Sequence, residues 1–278
     1  MEILGYIGAV LMGLSLGLIG GGGSILTVPI LVYLFQVDAV LATAYSLFIV
    51  GLTSLVGSFS HIKLGNIHWR TAMVFGIPSI ISVFLTRSFL VPRIPDPIMT
   101  FGQNATAGAA FVLTKSVGLL LLFAVIMVMA AYSMIKPSKK ASADQSTVVE
   151  SDGQQPKFNY PLILSEGAIV GVVTGLVGAG GGFLIIPALV LLAKLPMKQA
   201  VGTSLMIIAA KSLIGFVGDM RGNEVIDWSF LAVFSSIAVV GILIGSWLSK
   251  RIPGEKLKPA FGWFVLVMGT YIIIKELF

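Results

Sequence analysis

Two stretches of sequence decide the fold: Gly20-Gly-Gly-Gly-Ser-Ile-Leu-Thr-Val-Pro29 and Gly178-Ala-Gly-Gly-Gly-Phe-Leu-Ile-Ile-Pro187. Each interrupts a long apolar block with a run of small residues and places a proline shortly afterwards. A glycine inside a helix costs about 1 kcal/mol relative to alanine, so both runs predict a broken helix. At membrane depth, a break of this kind must be buried in protein or line a polar cavity.

The two stretches belong to an internal repeat. Shifted by 158 positions, residues 17–47 overlay residues 175–205 without a gap, with 13 identities in 31 positions. Further along, Trp69 and Trp228 begin matching blocks. The sequence therefore predicts an N-terminal transmembrane repeat over residues 1–135, a polar linker over 136–160 and a C-terminal transmembrane repeat over 161–278.

The composition is that of a membrane protein. Hydrophobic residues make up 56% of the chain and charged residues 11%, whereas a soluble domain carries roughly 25% charged residues. The apolar residues form long blocks that do not alternate with polar ones, which predicts spanning helices and argues against a β-barrel. The blocks are Ile3–Ile19 with Ser24–Phe35, Ala39–Ser58, Thr71–Val91, Val117–Ile135, Leu162–Val177 with Phe183–Ala193, Gln199–Val217, Ser229–Ser249 and Pro259–Ile274.

Basic residues predict the orientation of the chain. If each broken block is a hairpin that returns to its own side, each repeat crosses three times and the two repeats have inverted topology. The linker is then cytoplasmic, both termini are outside, and 12 of the 18 basic residues face the cytoplasm, as the positive-inside rule expects. In this topology the basic residues outside or at the outer border are Arg87, Arg93, Lys115, Arg221 and Lys275.

Charge does not distinguish a re-entrant hairpin from two tilted short spans, because both place every loop on the same side. As helices, Ile3–Ile19 would reach roughly 26 Å and Ser24–Phe35 only about 18 Å. The shorter second arm favours re-entrant hairpins. A model with each broken block as one crossing would put Lys194, Lys198 and the basic residues of 250–258 outside, so we reject it.

Several classes of function are not supported by the residues. The chain has no cysteine and two histidines, so a thiolate or multi-histidine metal site is not expected. It has no nucleophile–base set and no phosphate-binding loop with its lysine. The net charge of +6 is explained by cytoplasmic loops without a nucleic-acid partner. We therefore expect a non-enzymatic protein without a cofactor, whose partners are the lipid bilayer and a small ligand. No long heptad pattern predicts an oligomer.

The glycine breaks are the candidate site. A helix that begins after a break presents free N–H groups and a positive dipole end, which favour an anion. Paired breaks in inverted repeats are typical of transporters with a site near the midplane. Close helix packing and local hydroxyl–backbone bonds are the alternatives. The candidate residues are Gly20, Gly21, Gly22, Gly23, Ser24, Tyr45, Ser46, Gly178, Gly180, Gly181, Gly182, Thr203, Ser204 and Lys211.

Lys211 is the most informative single residue, because apolar residues flank it on both sides. A lysine within a spanning helix costs at least about 2.5–3.5 kcal/mol. It either snorkels to the outer interface or faces the core as a countercharge for an anion. Glu166 is either interfacial or takes part in proton coupling, and His61 and His68 are expected in a solvated inner loop.

The motifs resemble those of the sulfite exporter TauE/SafE family. The resemblance is carried by the second glycine stretch with Leu195-Pro-Met-Lys198 and Ala200-Val-Gly-Thr-Ser-Leu205, and by the first stretch with Ala44-Tyr-Ser-Leu47. It implies a secondary transporter that moves sulfur-containing anions, such as sulfite or sulfonates, across the bacterial inner membrane, most simply by export. An anion channel of the same architecture is one alternative, and a membrane enzyme or scaffold subunit is another.

Overall fold

A computed structural model describes residues 2–101, 111–135, 160–191, 193–220, 226–249 and 254–277. The predicted linker 136–160 lies outside these ranges apart from Tyr160. In chain order the elements are α1 (Glu2–Ile19), α2 (Gly22–Leu34), α3 (Ala39–Lys63), α4 (Trp69–Arg93), β1 (Met99–Phe101), β2 (Phe111–Leu113), α5 (Lys115–Ile135), α6 (Tyr160–Val177), α7 (Gly182–Leu191), α8 (Met197–Asp219), α9 (Trp228–Leu248) and α10 (Gly254–Leu277).

The helices confirm the predicted all-α polytopic membrane fold. Within the described ranges, seven helices are long and apolar enough to cross a membrane: α1, α3, α4, α5, α6, α8 and α9. Many of their large apolar side chains face outward, and Trp69, Trp228 and Trp247 are among them, close to helix ends. Tryptophan is enriched at both interfaces of a bilayer. The chain is therefore a multi-pass membrane protein.

Local chemistry explains where the long helices begin. Asp38 caps α3 by accepting a hydrogen bond from the backbone N–H of Val40 at 2.8 Å, and Asp227 caps α9 by accepting from Phe230 at 2.9 Å. Side chains of this type satisfy N–H groups that have no partner within the helix. In α2, a π-helical turn over Ile30–Leu34 directly follows Pro29, as expected where a proline interrupts the regular hydrogen bonds of a helix.

The first broken block folds as a hairpin. α2 turns back along α1, so that Gly23 lies against Leu16, the side chain of Ile30 lies against Gly8, and the ring of Phe35 lies against Gly5. Later residues of α2 contact earlier residues of α1, so the two arms run antiparallel. The second arm therefore ends at the level where α1 begins. In the second block α7 has 10 residues, which gives about 15 Å of helix, too little to cross a bilayer.

Glycine contacts join helices from different repeats. α1 runs parallel to α9, with Gly13 against Ala238 and Gly17 against Ser246. α6 runs parallel to α4 in the same manner: Gly167, Gly171 and Gly175 lie against Phe75, Ser79 and Thr86 in turn. Glycines allow helix backbones to approach this closely in membranes. The first arm of each broken block is therefore joined to a long helix of the other repeat, α1 to α9 and α6 to α4.

These directions agree with the predicted inversion. α2 returns to the start of α1, so α3 runs in the direction of α1 and α4 runs against it. Because α6 is parallel to α4, α6 runs against α1, its counterpart in the first repeat. α3 and α8 begin at Ala39 and Met197, separated by the same 158 positions as the glycine stretches. The inverted repeat and its boundaries at 135 and 161 stay our interpretation.

Polar contacts tie the helix ends at two levels. At the level we call the outer end, following the predicted orientation, Ser116 donates to Asp38 at 3.0 Å and the Tyr33 hydroxyl donates to Glu276 at 3.0 Å. At the opposite, inner end, Arg70 contacts the Tyr160 hydroxyl. The β1–β2 hairpin precedes α5 at the outer end, a feature that the sequence patterns did not predict.

The predicted orientation can be measured with single cysteines, because the natural chain contains none. Leu64, at the inner end of α3, and Arg93, at the outer end of α4, are both exposed. In intact cells a membrane-impermeant maleimide should label Arg93→Cys and should label Leu64→Cys only after permeabilisation. The reverse pattern of labelling would show that the orientation is wrong.

Candidate functional site

The two glycine breaks meet inside the fold. Gly21 and Gly182 touch through their backbones, and a Cβ on Gly21 would lie 2.5 Å from the Cα of Gly182. Both residues are buried. α2 and α7 begin at this contact, so the N–H groups of two helix starts, which lack partners within their helices, point toward it. The positive ends of two helix dipoles therefore converge on one buried position.

Each break is held by the other repeat. Gly20 and Gly178 end the first arms with φ of +80° and +72°, a conformation that favours glycine. Gly178 lies against Thr43 in α3, while Gly20 lies against Val201 in α8. Gly178 lies 158 positions after Gly20, and Val201 lies 158 positions after Thr43. The two contacts are therefore equivalent in the repeat. The long helices α3 and α8 thus support the breaks from opposite sides.

The remaining predicted glycines close the hairpins. Gly23 lies against Leu16 and Gly181 lies against Thr174, again at positions that match across the repeat. In both cases the missing side chain lets the second arm approach the first arm of its own hairpin. The other two glycines are also buried at the breaks: Gly22 and Gly180.

The serine hydroxyls near the breaks have different partners. The Ser204 hydroxyl donates to the carbonyl of Gly20 at 3.1 Å or to one in its own helix, and the Ser24 hydroxyl donates to the carbonyl of Gly21 at 2.8 Å. Ser46 matches Ser204 in the repeat. Its hydroxyl is fully buried and has no hydrogen-bond partner among the described residues.

Lys211 faces the core and does not snorkel. Its side chain is fully buried, and its Nζ donates to the hydroxyl of Thr174 at 2.8 Å. The Nζ also lies 2.9 Å from the position that a Cβ on Gly181 would occupy. Within the described part of the chain no carboxylate pairs with it. A buried cation of this kind is costly unless a negative charge accompanies it.

Arg87 is a second buried cation at the same break, a burial that the sequence did not predict, while its place at the outer border stays a prediction. Its side chain is 0% exposed, and Nη1 donates to the hydroxyl of Thr43 at 2.9 Å. Thr43 in turn lies against Gly178. An arginine within an apolar block is itself a signal of function. The burial could not be predicted because the distance of a residue from the block end does not show which way its side chain faces.

Tyr45 and Thr203 have matching structural roles. The Tyr45 hydroxyl accepts from the backbone N–H of Asp227 at 2.7 Å, and the Thr203 hydroxyl accepts from that of His68 at 3.0 Å. His68 and Asp227 are the N-caps of α4 and α9. The two bonds fasten helix starts at opposite ends of the protein, so the hydroxyls of both predicted site residues each hold the start of a helix.

The arrangement as a whole suits a small anion. Two helix starts converge at the glycine contact, Lys211 lies at one end of the second break, and Arg87 reaches the other end through Thr43. Backbone amides, helix starts and cations are the groups that proteins use to hold oxyanions. These features define a polytopic membrane protein with two buried cationic side chains beside its glycine breaks, as expected of a transporter of small solutes.

The chain belongs to the sulfite exporter TauE/SafE family, whose model matches residues 6–272. It is 28% identical over 267 residues to a probable membrane transporter protein of Xylella fastidiosa, covering 95% of this chain and 91% of that protein. A probable membrane transporter protein of Methanocaldococcus jannaschii is 28% identical over 286 residues, with 98% and 94% covered. The probable membrane transporter protein YunE of Bacillus subtilis is 24% identical over 299 residues, with 99% and 100% covered.

No solved structure matches the chain. The family and the relatives support a membrane transporter with a small-molecule substrate, in agreement with the fold. They are also compatible with the expectation that the protein is not an enzyme.

The close approach of the two breaks predicts the effect of a single methyl group. Gly21→Ala should lower the thermal unfolding midpoint of the detergent-purified protein, because overpacking costs about 1–3 kcal/mol and the backbone of Gly182 leaves no space. Gly76→Ala in α4 is the control, since its Cβ would meet no atom closer than 3.7 Å. Equal midpoints for the two variants would contradict the contact.

Proposed function

We propose that this protein is a secondary transporter that exports a small sulfur-containing anion, such as sulfite or a sulfonate, across the bacterial inner membrane. The substrate binds beside the contact between the two glycine breaks and reaches either side by alternating access. Family membership supports the sulfur-containing substrate class. The single observation that carries the site is the fully buried Lys211 beside Gly181, without a carboxylate partner among the described residues.

Lys211 supplies the charge that selects an anion. Its only described hydrogen-bond acceptor is the neutral Thr174 hydroxyl, so its positive charge is not compensated locally. An anion beside Gly181 would supply the missing charge in surroundings where electrostatic interactions are stronger than in water. The helix start of α7 at Gly182 adds its dipole in the same sense. Substrate and Lys211 would therefore stabilise each other inside the membrane.

Ser46 supplies a buried hydroxyl that has no hydrogen-bond partner among the described residues. Its matched residue, Ser204, is engaged with carbonyls, whereas the Ser46 Oγ is buried without a described partner. A buried hydroxyl without a partner costs about 1–3 kcal/mol. A substrate oxygen that accepts from Ser46 would remove this cost, so we assign Ser46 to the substrate and Ser204 to the scaffold.

The moving bodies of the proposed cycle combine helices from both repeats. α1 is held against α9 through Gly13 and Gly17, and α6 is held against α4 through Gly167 and Gly171. Such backbone contacts resist separation because they exclude side chains. Alternating access would therefore move the α1–α9 pair relative to the α4–α6 pair, with the glycine breaks between them.

Coupling and orientation complete the proposal. The linker faces the cytoplasm and both termini face outward. Glu166 lies in α6, and its Oε2 is buried without a described partner, so we retain it as the candidate for proton coupling. Flux driven by an imposed pH gradient, and lost in Glu166→Gln, would support that role.

Lys211→Met should weaken substrate binding. In liposomes containing the full chain, the half-saturation concentration for radiolabelled sulfite should rise on the order of tenfold or more, because a hydrogen bond to a charged group contributes about 1.5–3 kcal/mol. Lys198→Met is the matched control, since Lys198 is exposed at the start of α8. An unchanged half-saturation concentration in Lys211→Met would remove Lys211 from the site.

Ser46→Ala separates a substrate contact from a structural hydroxyl. It removes no described hydrogen bond, so the thermal midpoint should stay the same or rise slightly. The half-saturation concentration for sulfite should rise several-fold, as expected for one lost hydrogen bond of about 0.5–1.5 kcal/mol. Ser54→Ala is the control, because Ser54 is also buried in α3 with an unpartnered hydroxyl. Equal flux effects in both variants would count against a specific contact.

The same assay separates a transporter from an anion channel. A transporter that alternates between two states gives flux that saturates with sulfite concentration. A channel gives flux that rises linearly, together with large single-channel currents. The absence of any sulfite or sulfonate flux under every gradient would refute both.

A further inference from the structure

Arg87 and Asp219 form a buried ion pair at the outer ends of α4 and α8. The Arg87 Nη1 lies 3.5 Å from the Asp219 Oδ1. The Arg87 side chain is 0% exposed and that of Asp219 is 15% exposed. On its other side, Nη1 donates to the Thr43 hydroxyl at 2.9 Å. The same Thr43 supports Gly178, so the pair lies one residue away from the second glycine break.

The pair is incomplete on both sides. A guanidinium has five N–H donors in a planar fork, and a well-matched carboxylate accepts two of them in parallel. Here the contact involves one nitrogen at the long limit of a hydrogen bond. The Arg87 Nε and Nη2 are buried without partners among the described residues, and so is the Asp219 Oδ2. Unpaired buried charged groups are costly, which is unexpected for a pair that serves stability alone.

The pair also has no counterpart at the inner end. With the shift of 159 positions that relates Trp69 to Trp228, Arg87 corresponds to Ser246. With the shift of 158 that relates the glycine stretches, Asp219 corresponds to His61. At these matched positions, a guanidinium and a carboxylate therefore occur together in the outer copy and not in the inner one. Because the backbone contacts at Gly20 and Gly178 match across the repeat, the pair is an addition to the shared scaffold and not a requirement of it.

We propose that Arg87 is an anion-binding residue on the outer side of the substrate path, where it exchanges Asp219 for the substrate. The two unpaired donors, Nε and Nη2, lie on one edge of the guanidinium and can bind two oxygens of an oxyanion. Asp219 occupies Arg87 while the substrate is absent. The assignment rests on the proposed transport of an oxyanion and extends its site from Lys211 toward the outer surface.

The exchange predicts opposite effects for the two partners. Sulfite uptake is measured in right-side-out and inside-out membrane vesicles that contain the full chain, with vesicles from cells lacking it as background. Arg87→Lys keeps the charge but loses the fork, so the half-saturation concentration from the outer face should rise about tenfold. Asp219→Asn removes the competing carboxylate, so the outer value should fall several-fold. Values from the inner face should change less in both variants.

A purely structural ion pair gives a different pattern. Both variants would then lower the thermal midpoint in detergent and reduce uptake from both faces alike. That result, or an outer half-saturation concentration that rises in Asp219→Asn, would overturn the assignment. If Arg87→Lys does not fold, the sign of the change in Asp219→Asn decides alone. Saturable uptake by the wild type distinguishes failure of this assignment from failure of the transport proposal, since without such uptake both fail.

Discussion

The need to cover an unwound backbone inside a membrane shapes the whole structure. Each peptide group within the glycine runs must find a polar partner or a protected environment, because lipid offers neither. The two runs meet this need together, with Gly21 against Gly182 and with Gly20 and Gly178 against helices of the opposite repeat. Neither break is covered by its own repeat alone, so the two repeats depend on each other where their helices are interrupted.

The proposed chemistry comes from side chains that break the symmetry of the scaffold. Lys211 corresponds to Thr53 in the first repeat, and its acceptor Thr174 corresponds to Leu16. Arg87 also approaches the second break, through Thr43. Among the described residues, the cationic side chains near the breaks, Lys211 and the Arg87 that is paired with Asp219, thus lie around residues 178–181, while serine hydroxyls lie at the first break. A repeated backbone supplies the helix starts, and differences between the copies supply the charge that an anion would require.

Much of this could be predicted from sequence because the signals are local. A glycine run in an apolar block gives the break, and the shift of 158 gives equivalent starts at Ala39 and Met197. The pairing of α1 with α9 could not be predicted, since small residues that face a helix look like those that face lipid. The sequence also does not show in which direction a side chain points. The bond between the Tyr45 hydroxyl and the backbone N–H of Asp227 and the burial of the Arg87 side chain could not be inferred from the positions of these residues in their blocks.

Scaffold groups are distinguished from proposed site groups better by whether they already have a hydrogen-bond partner than by their position. Ser24 and Ser204 donate to carbonyls of the first break, so a ligand that used them would first have to disrupt the loop. Ser46 lacks a described partner, and Arg87 has two unpaired donors. A ligand gains most where the surrounding protein leaves a buried polar group without a hydrogen-bond partner. Binding would then remove the cost of these unsatisfied groups, so the polar groups without a described partner define the expected substrate contacts.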